Sequence, residues 1–293
     1  MKASDRKATR RPSKRNAQTC YLSFVGPRTL LFVVVCLAGC SSVQDTTDAA
    51  VADAHHEKAA YDTSTVDEPT PTHMASGRVL DSTGAPWPSA RMQICATICY
   101  AFTAGSDGTF SANIGKADTY AVDATSAASD GRSASRTVYS HLIDSDVALG
   151  DIVVQETGAG QALGSTKDVA IDADLTLLAV DPSALALPAG VTSAYAAGVR
   201  VKAPAFPTYD ASGKTILAMW ALNPFSAKSS KPVAVTIKNG FGLAANAKLA
   251  MRAVDDTTGL LLAEIPMTVS SDATTITTDS GGLDRLTWIV LVQ

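Results

Sequence analysis

Apolar residues in this chain come in short runs, and their spacing predicts strands. Residues 76–80, 90–95, 100–104, 109–114, 119–125 and 151–155 each read as one strand, bounded by Gly, Pro, Asn and Asp. In 90–95, Met92 and Ile94 alternate with Arg91 and Gln93, the period of a half-buried strand. Asp81 to Pro86 is a Gly/Pro turn. Ser106-Asp107-Gly108 is a hairpin-type turn that needs positive φ at Gly108, and 109–114 is expected to pair back across it. Further strands are predicted at 175–180, 198–202, 215–222, 233–237, 248–254, 260–265, 274–278 and 286–291. Asp210-Ala211-Ser212-Gly213, Lys238-Asn239-Gly240 and Asp256-Thr257-Thr258-Gly259 supply turn chemistry between them. No stretch holds a helical apolar period for about four turns. The expectation is an all-β protein with two consecutive β-sandwich domains, 74–156 and 161–293, divided at Thr157-Gly158-Ala159-Gly160.

One apolar run does not fit a strand. Leu30 to Ala38 is too short to span a bilayer core, which takes roughly 20 residues. Basic residues precede it, and Leu37-Ala38-Gly39-Cys40 ends it. A basic region, a short apolar segment and small residues at its end mark an export signal. This stretch resembles the signal peptide and lipobox of bacterial lipoproteins. The resemblance implies that Cys40 is lipidated, palmitate being one of its acyl groups, and that the chain is cut after Gly39. Residues 1–39 are then a cleaved signal and 40–73 a flexible acidic tether. Arg10-Arg11 is followed by Pro12-Ser13 where a twin-arginine signal wants apolar residues, so Sec-type export is expected. The amino-terminal basic region is long, and Met1 need not be the true start. Ser41-Ser42 after the lipidated Cys points to the outer membrane by the familiar sorting rule.

Cleavage changes the charge. Eight of the 24 basic residues and one of the 28 acidic ones precede Cys40, leaving 16 against 27, a net charge of −11. An acidic body argues against nucleic acid as a partner, since phosphate contacts need Lys and Arg clusters. The tether has almost no large apolar side chains and cannot offset its ordering entropy; as a coil it spans on the order of 30 Å. His55, His56 and His73 are read as solvated tether residues.

Within 74–156, the order Gly77-x-Val79, Gly84-Ala85-Pro86, Asp107-Gly108-x-Phe110 and Tyr120-x-Val122 resembles the carboxypeptidase regulatory-like domain. That family is a seven-stranded sandwich of transthyretin type, and the matching positions concern fold, not activity. They imply Phe110 and Tyr120 as core aromatics. Leu187-Pro188-Ala189-Gly190 and the strands after it resemble, more faintly, the spacer domain of ankyrins and netrin receptors. Cys95 and Cys99 would lie roughly 13 Å apart in a straight strand, too far to bridge. If Ala96-Thr97-Ile98 turn the chain, the pair can meet. An oxidising compartment then favours a disulfide over free thiols or a metal.

Candidate chemistry is sparse. His141 alone lies outside the tether, no Gly-x-Ser-x-Gly occurs, and Gly213-Lys214-Thr215 lacks the Gly of a phosphate loop, Thr208 standing in its place. Asp107 has no second carboxylate at ligand spacing, and Asp144-Ser145-Asp146 fails the calcium-loop pattern, Ala148 and Leu149 standing where a carboxylate and a Gly belong. Lys116 and Asn113 flank one turn and are not placed for an isopeptide crosslink. Trp220 and Trp288 read as core anchors, whereas Trp87, in a loop between Pro86 and Pro88, is a candidate exposed platform for a glycan. The expectation is no enzyme, no cofactor and no metal, but a lipoprotein held at the membrane by its lipid. Its sandwiches would bind or scaffold an envelope protein or, alternatively, a carbohydrate such as peptidoglycan; a hydrolase of unrecognised type is the second alternative.

Overall fold

The computed structural model describes residues 73–127 and 132–293. Gly39, Cys40, His55, His56 and the sorting residues lie outside the described residues. His73 does not: it opens the first strand, opposite Ile114, so the tether ends one residue sooner than expected.

The described chain is nearly all strand, as the alternation requires. Its first part holds β1 (His73–Leu80), β2 (Arg91–Cys95), β3 (Cys99–Thr103), β4 (Thr109–Ile114), β5 (Asp118–Thr125), β6 (Ala134–Ser135), β7 (Thr137–Ile143), β8 (Val147–Val153) and β9 (Gln155–Glu156). One sheet runs β4-β1-β8 and the facing sheet β3-β2-β5-β7, with β6 and β9 paired beside them. The second part holds β10 (Gln161–Ala162), β11 (Lys167–Ala170), β12 (Leu175–Val180), β13 (Leu185–Ala186), β14 (Tyr195–Val201), β15 (Ile216–Asn223), β16 (Ala227–Lys238), β17 (Lys248–Ala253), β18 (Ile265–Val269), β19 (Thr275–Thr278), β20 (Leu283–Leu286) and β21 (Ile289–Val292). These form one continuous curled sheet, β10-β14-β15-β21-β17-β18-β19-β16-β12-β11, with β13 and β20 paired to β16.

Three local expectations change. β4 pairs with β1, not back onto β3. The turn at 105–108 instead carries the chain from one sheet to the other. Asp107 accepts hydrogen bonds from the Thr109 amide and hydroxyl, Val79 N–H donates to Gly108 O at 2.8 Å, and Gly108 has φ +76. A Cβ on Gly108 would lie 2.4 Å from Val79 O, so the crossover requires glycine twice over. The strand expected at 260–265 is reduced to a single bridge, Leu261 to Val254, and the continuous strand starts only at Ile265; Arg252 takes Leu261 O and Leu262 O at 2.8 and 2.7 Å. The strand expected at 286–291 divides at Thr287-Trp288: β20 pairs β16, whereas β21 pairs β15 and β17. β7 had no predicted counterpart. Its first three residues are all buried, so neighbouring positions show no alternation.

Burial explains the architecture. In β15, β17 and β21, alternate side chains enter two different cores. Ala218, Trp220, Leu222, Met251, Ile289 and Leu291 face the interior of the second sandwich. Their neighbours Met219, Ala221, Ala250, Val290 and Val292 join Met92, Phe110, Val122, Tyr139 and Ile152 from the first part in a single cluster. This sheet is therefore covered on both faces, which is why 216–222 and 288–292 are unbroken apolar runs. At about 25 cal/mol per Å² of apolar surface removed from water, the second face makes a substantial stabilising contribution.

Three buried donors tie the junction together. Trp288 Nε1 donates to Arg136 O at 2.9 Å, Tyr209 hydroxyl to Val138 O at 2.7 Å, and Ser135 hydroxyl to Leu222 O at 3.0 Å. Burial raises the Tyr209 hydroxyl well above its ordinary pKa, so it remains a donor. Gly259, at φ +70, lies against β7 so closely that a Cβ would come within 2.3 Å of Tyr139 C.

Gly259→Ala is expected to lose about 2 kcal/mol or more of stability in denaturant unfolding, from backbone strain and overpacking together. A variant as stable as wild type would show that the contact with β7 is slack.

Candidate functional site

The two faces of the four-stranded sheet carry different chemistry. Met92, Ile94, Val122 and Ala124 point into the first sandwich. Register sets Gln93 and Val138 beside Asp123, and Cys95 and Ser140 beside Ala121, on the opposite face. That outer face is the floor of a cleft.

Asp123 is the polar centre of the floor. Its side chain is only 7% exposed. Arg136, immediately before β7, folds back so that Nε donates to Asp123 Oδ2 at 2.7 Å, and its terminal Nη2 contacts the same oxygen. Burial pushes the Asp123 carboxyl up, against the pull of the guanidinium. Oδ1, the other oxygen, is buried and has no hydrogen-bond partner. An unpaired buried acceptor costs roughly 1–3 kcal/mol.

The facing wall is the turn after β17. Asp255 accepts from Thr257 and Thr258 amides at 3.0 and 2.8 Å, which shapes the turn. Arg285 Nη1 reaches Asp255 at 3.2 Å and Asp256 at 2.9 Å, bracing it from behind. Burial alone would raise the Asp255 carboxyl, but its hydrogen bonds and Arg285 hold it below the ordinary range. The space between wall and floor is about 680 Å³, with Asp118, Thr119, Ser140 and Thr257 among its lining residues. A second hollow of about 450 Å³ continues along the same face past Arg91, Gln93, Thr103 and Thr125. Asp123 and Arg136 line both.

Cys95 and Cys99 close one end. They are cross-strand partners with Cα atoms 4.1 Å apart, joined as a disulfide. Ala96-Thr97-Ile98 makes the expected turn, Ala96 N–H donating to Ile98 O at 3.0 Å. Beyond this tip lies a smaller pocket of about 230 Å³, lined by Ile98, Tyr100, Lys116 and Tyr120. Tyr120 is buried in the core with Ile94, Ile114 and Ile143, and Phe110 is buried on the other cluster.

Trp87 is not an exposed platform, which corrects the expectation. It is fully buried, its amide donates to Val79 O at 2.9 Å, and the Arg132 guanidinium lies 3.9 Å over its ring. The flanking prolines hold a core plug, not a ligand contact. Trp220 and Trp288 are fully buried, as expected of anchors, with Trp220 Nε1 donating to Asp172 at 2.8 Å. His141 sits edge-on to Tyr139, apart from the cleft lining. Among the described residues no group of three His, Cys, Asp or Glu side chains could hold a metal ion, and no helix is long and apolar enough to cross a membrane.

The sequence passed over Asp123, Arg136 and Asp256. Asp123 had a signal: in 119–125 it is the one charge on the face opposite Tyr120, Val122 and Ala124. Arg136 and Asp256 had none, because they reach the site through long-range packing.

No family model matches the chain, and no curated protein matches it. Among solved structures it is similar to one described as a "putative carbohydrate binding protein" from Bacteroides uniformis, at 11% identity over 76% of this chain and 80% of that one. The TM-score is 0.18, a correspondence too loose to carry an argument.

Peptide mapping of the folded protein after alkylation without reductant should recover Cys95 and Cys99 linked and unlabelled. Alkyl groups on both cysteines would contradict the bridge.

Proposed function

We propose that this chain is a non-catalytic lipoprotein of the cell envelope, held by a lipid on Cys40, whose β-sandwich body binds another envelope component. The observation behind the binding part is the cleft, whose shape is preformed and whose floor keeps one buried carboxylate oxygen unpaired. Groups aligned before a ligand arrives lower the cost of ordering them on binding. Support for the anchor comes from Leu37-Ala38-Gly39-Cys40 at the end of a short apolar run. In this reading the acidic segment up to residue 72 lets the body stand away from the headgroups, and Ser41-Ser42 directs it to the outer membrane.

The non-catalytic reading rests on the state of the cleft's charges. Asp123 is engaged by Arg136, and Asp255 and Asp256 by Arg285. The lining includes no Cys thiol and no His, the groups that most often form or activate a covalent nucleophile.

Intact-mass analysis and membrane fractionation of wild type and Cys40→Ala test the proposal. Wild type should begin at a lipidated Cys40 and sediment with the envelope, and the variant should be soluble. An unlipidated mature form, or a variant still in the membrane, would overturn the anchor.

A further inference from the structure

We infer that the cleft binds a neutral saccharide chain, laid along the outer face of the four-stranded sheet and crossing the Asp123–Arg136 pair. The inference deepens the binding reading above and rests on it.

Shape comes first. The two hollows lie end to end on one sheet face and share Asp123 and Arg136, so together they form an open trough instead of a closed chamber. A trough suits an extended ligand entered from the side. The larger hollow alone falls in the size range of small-ligand sites, about 300–1,000 Å³.

Charge narrows the ligand further. The carboxylates and guanidinium groups at the centre are already paired: Arg136 with Asp123, and Arg285 with Asp255 and Asp256. Three carboxylates against two guanidinium groups leave no positive surplus there to select a phosphate or a polyanion. The floor also lacks a large apolar anchor. Its outward side chains include Gln93, Ala101, Thr103, Thr119, Ala121 and Thr125, whereas the cores of protein interfaces are enriched in aromatic and Met side chains.

The unpaired oxygen adds a polar requirement. Asp123 Oδ1 can only accept, and its site offers no donor. Once the Asp123 side chain turns to open Oδ1 to the trough, a ligand hydroxyl donating to it removes the cost of leaving it bare. Arg136, whose side chain is 34% exposed, can donate to a neighbouring hydroxyl. An acceptor and a fixed donor side by side match vicinal hydroxyls, and the surrounding Thr and Ser side chains can serve either role. The same pair would reject a ligand of bare hydrocarbon, which would leave Oδ1 without a donor.

The test is calorimetric titration of the full-length chain with neutral β-linked gluco-, xylo-, manno- and chito-hexasaccharides, and with oligogalacturonate as the charged arm. At least one neutral oligosaccharide should bind with Kd of about 1 mM or tighter. Two exposed floor positions allow the trough to be blocked without touching the core. Thr119→Trp fills the larger hollow and Ala101→Trp the second, and each should weaken binding about tenfold or more while circular dichroism stays unchanged. Failure of every neutral oligosaccharide to bind, or binding of the uronate alone, overturns the inference. Binding that ignores both substitutions overturns the placement. Capture of an envelope protein by the body with no saccharide bound would also sink it, and would leave the anchored binding reading standing.

Discussion

The structure depends on a sheet that has no solvent face. β14, β15, β21 and β17 send alternate side chains into two cores, Trp220 and Leu291 into one, Met219 and Val290 into the other. An antiparallel sheet usually keeps one face wet and alternates polar with apolar residues. Here the second face is covered by the first sandwich, and Trp288, Tyr209 and Gly259 fix how that cover sits. The junction is a core, not a hinge: apolar residues from both parts share one cluster, and the buried polar groups that cross it have partners. Loss of this contact would expose a wide apolar surface, so the two sandwiches are expected to hold or fail together.

The cleft is a consequence of that fit. Gly259 brings the turn after β17 against β7, and Arg285 braces the same turn through Asp255 and Asp256. Arg136 gives its backbone carbonyl to Trp288 and its guanidinium to Asp123. One residue thus ties the junction to the floor of the site. A pocket whose walls come from two sandwiches would be loose if the sandwiches moved; fusing their cores keeps Asp123 and its unpaired oxygen at a fixed distance from the facing wall.

Much of the fold was legible because it is local. Alternation placed β2, β4, β5 and β12 to within a residue, and the Asp-Gly and Asn-Gly clusters marked where the chain turns. The Cys95–Cys99 pairing followed from whether three residues could make a turn. What local pattern could not give was which sheet a strand joins: β4 leaves its neighbour β3 because Gly108 turns the chain under Val79 O, a contact from an earlier strand. Trp87 misled for the same reason. A tryptophan between two prolines in a loop looks exposed until the loop is found folded onto Val79 and Arg132. The unbroken apolar runs at 216–222 and 288–292 did carry the second buried face, but a short apolar run alone does not say what covers it.

The two sandwiches share one core and so present one rigid site. Differential scanning calorimetry of the full-length chain tests it most directly. A single unfolding transition is expected, with calorimetric and van't Hoff enthalpies that agree. Two resolved transitions, with one sandwich melting while the other stays folded, would contradict it.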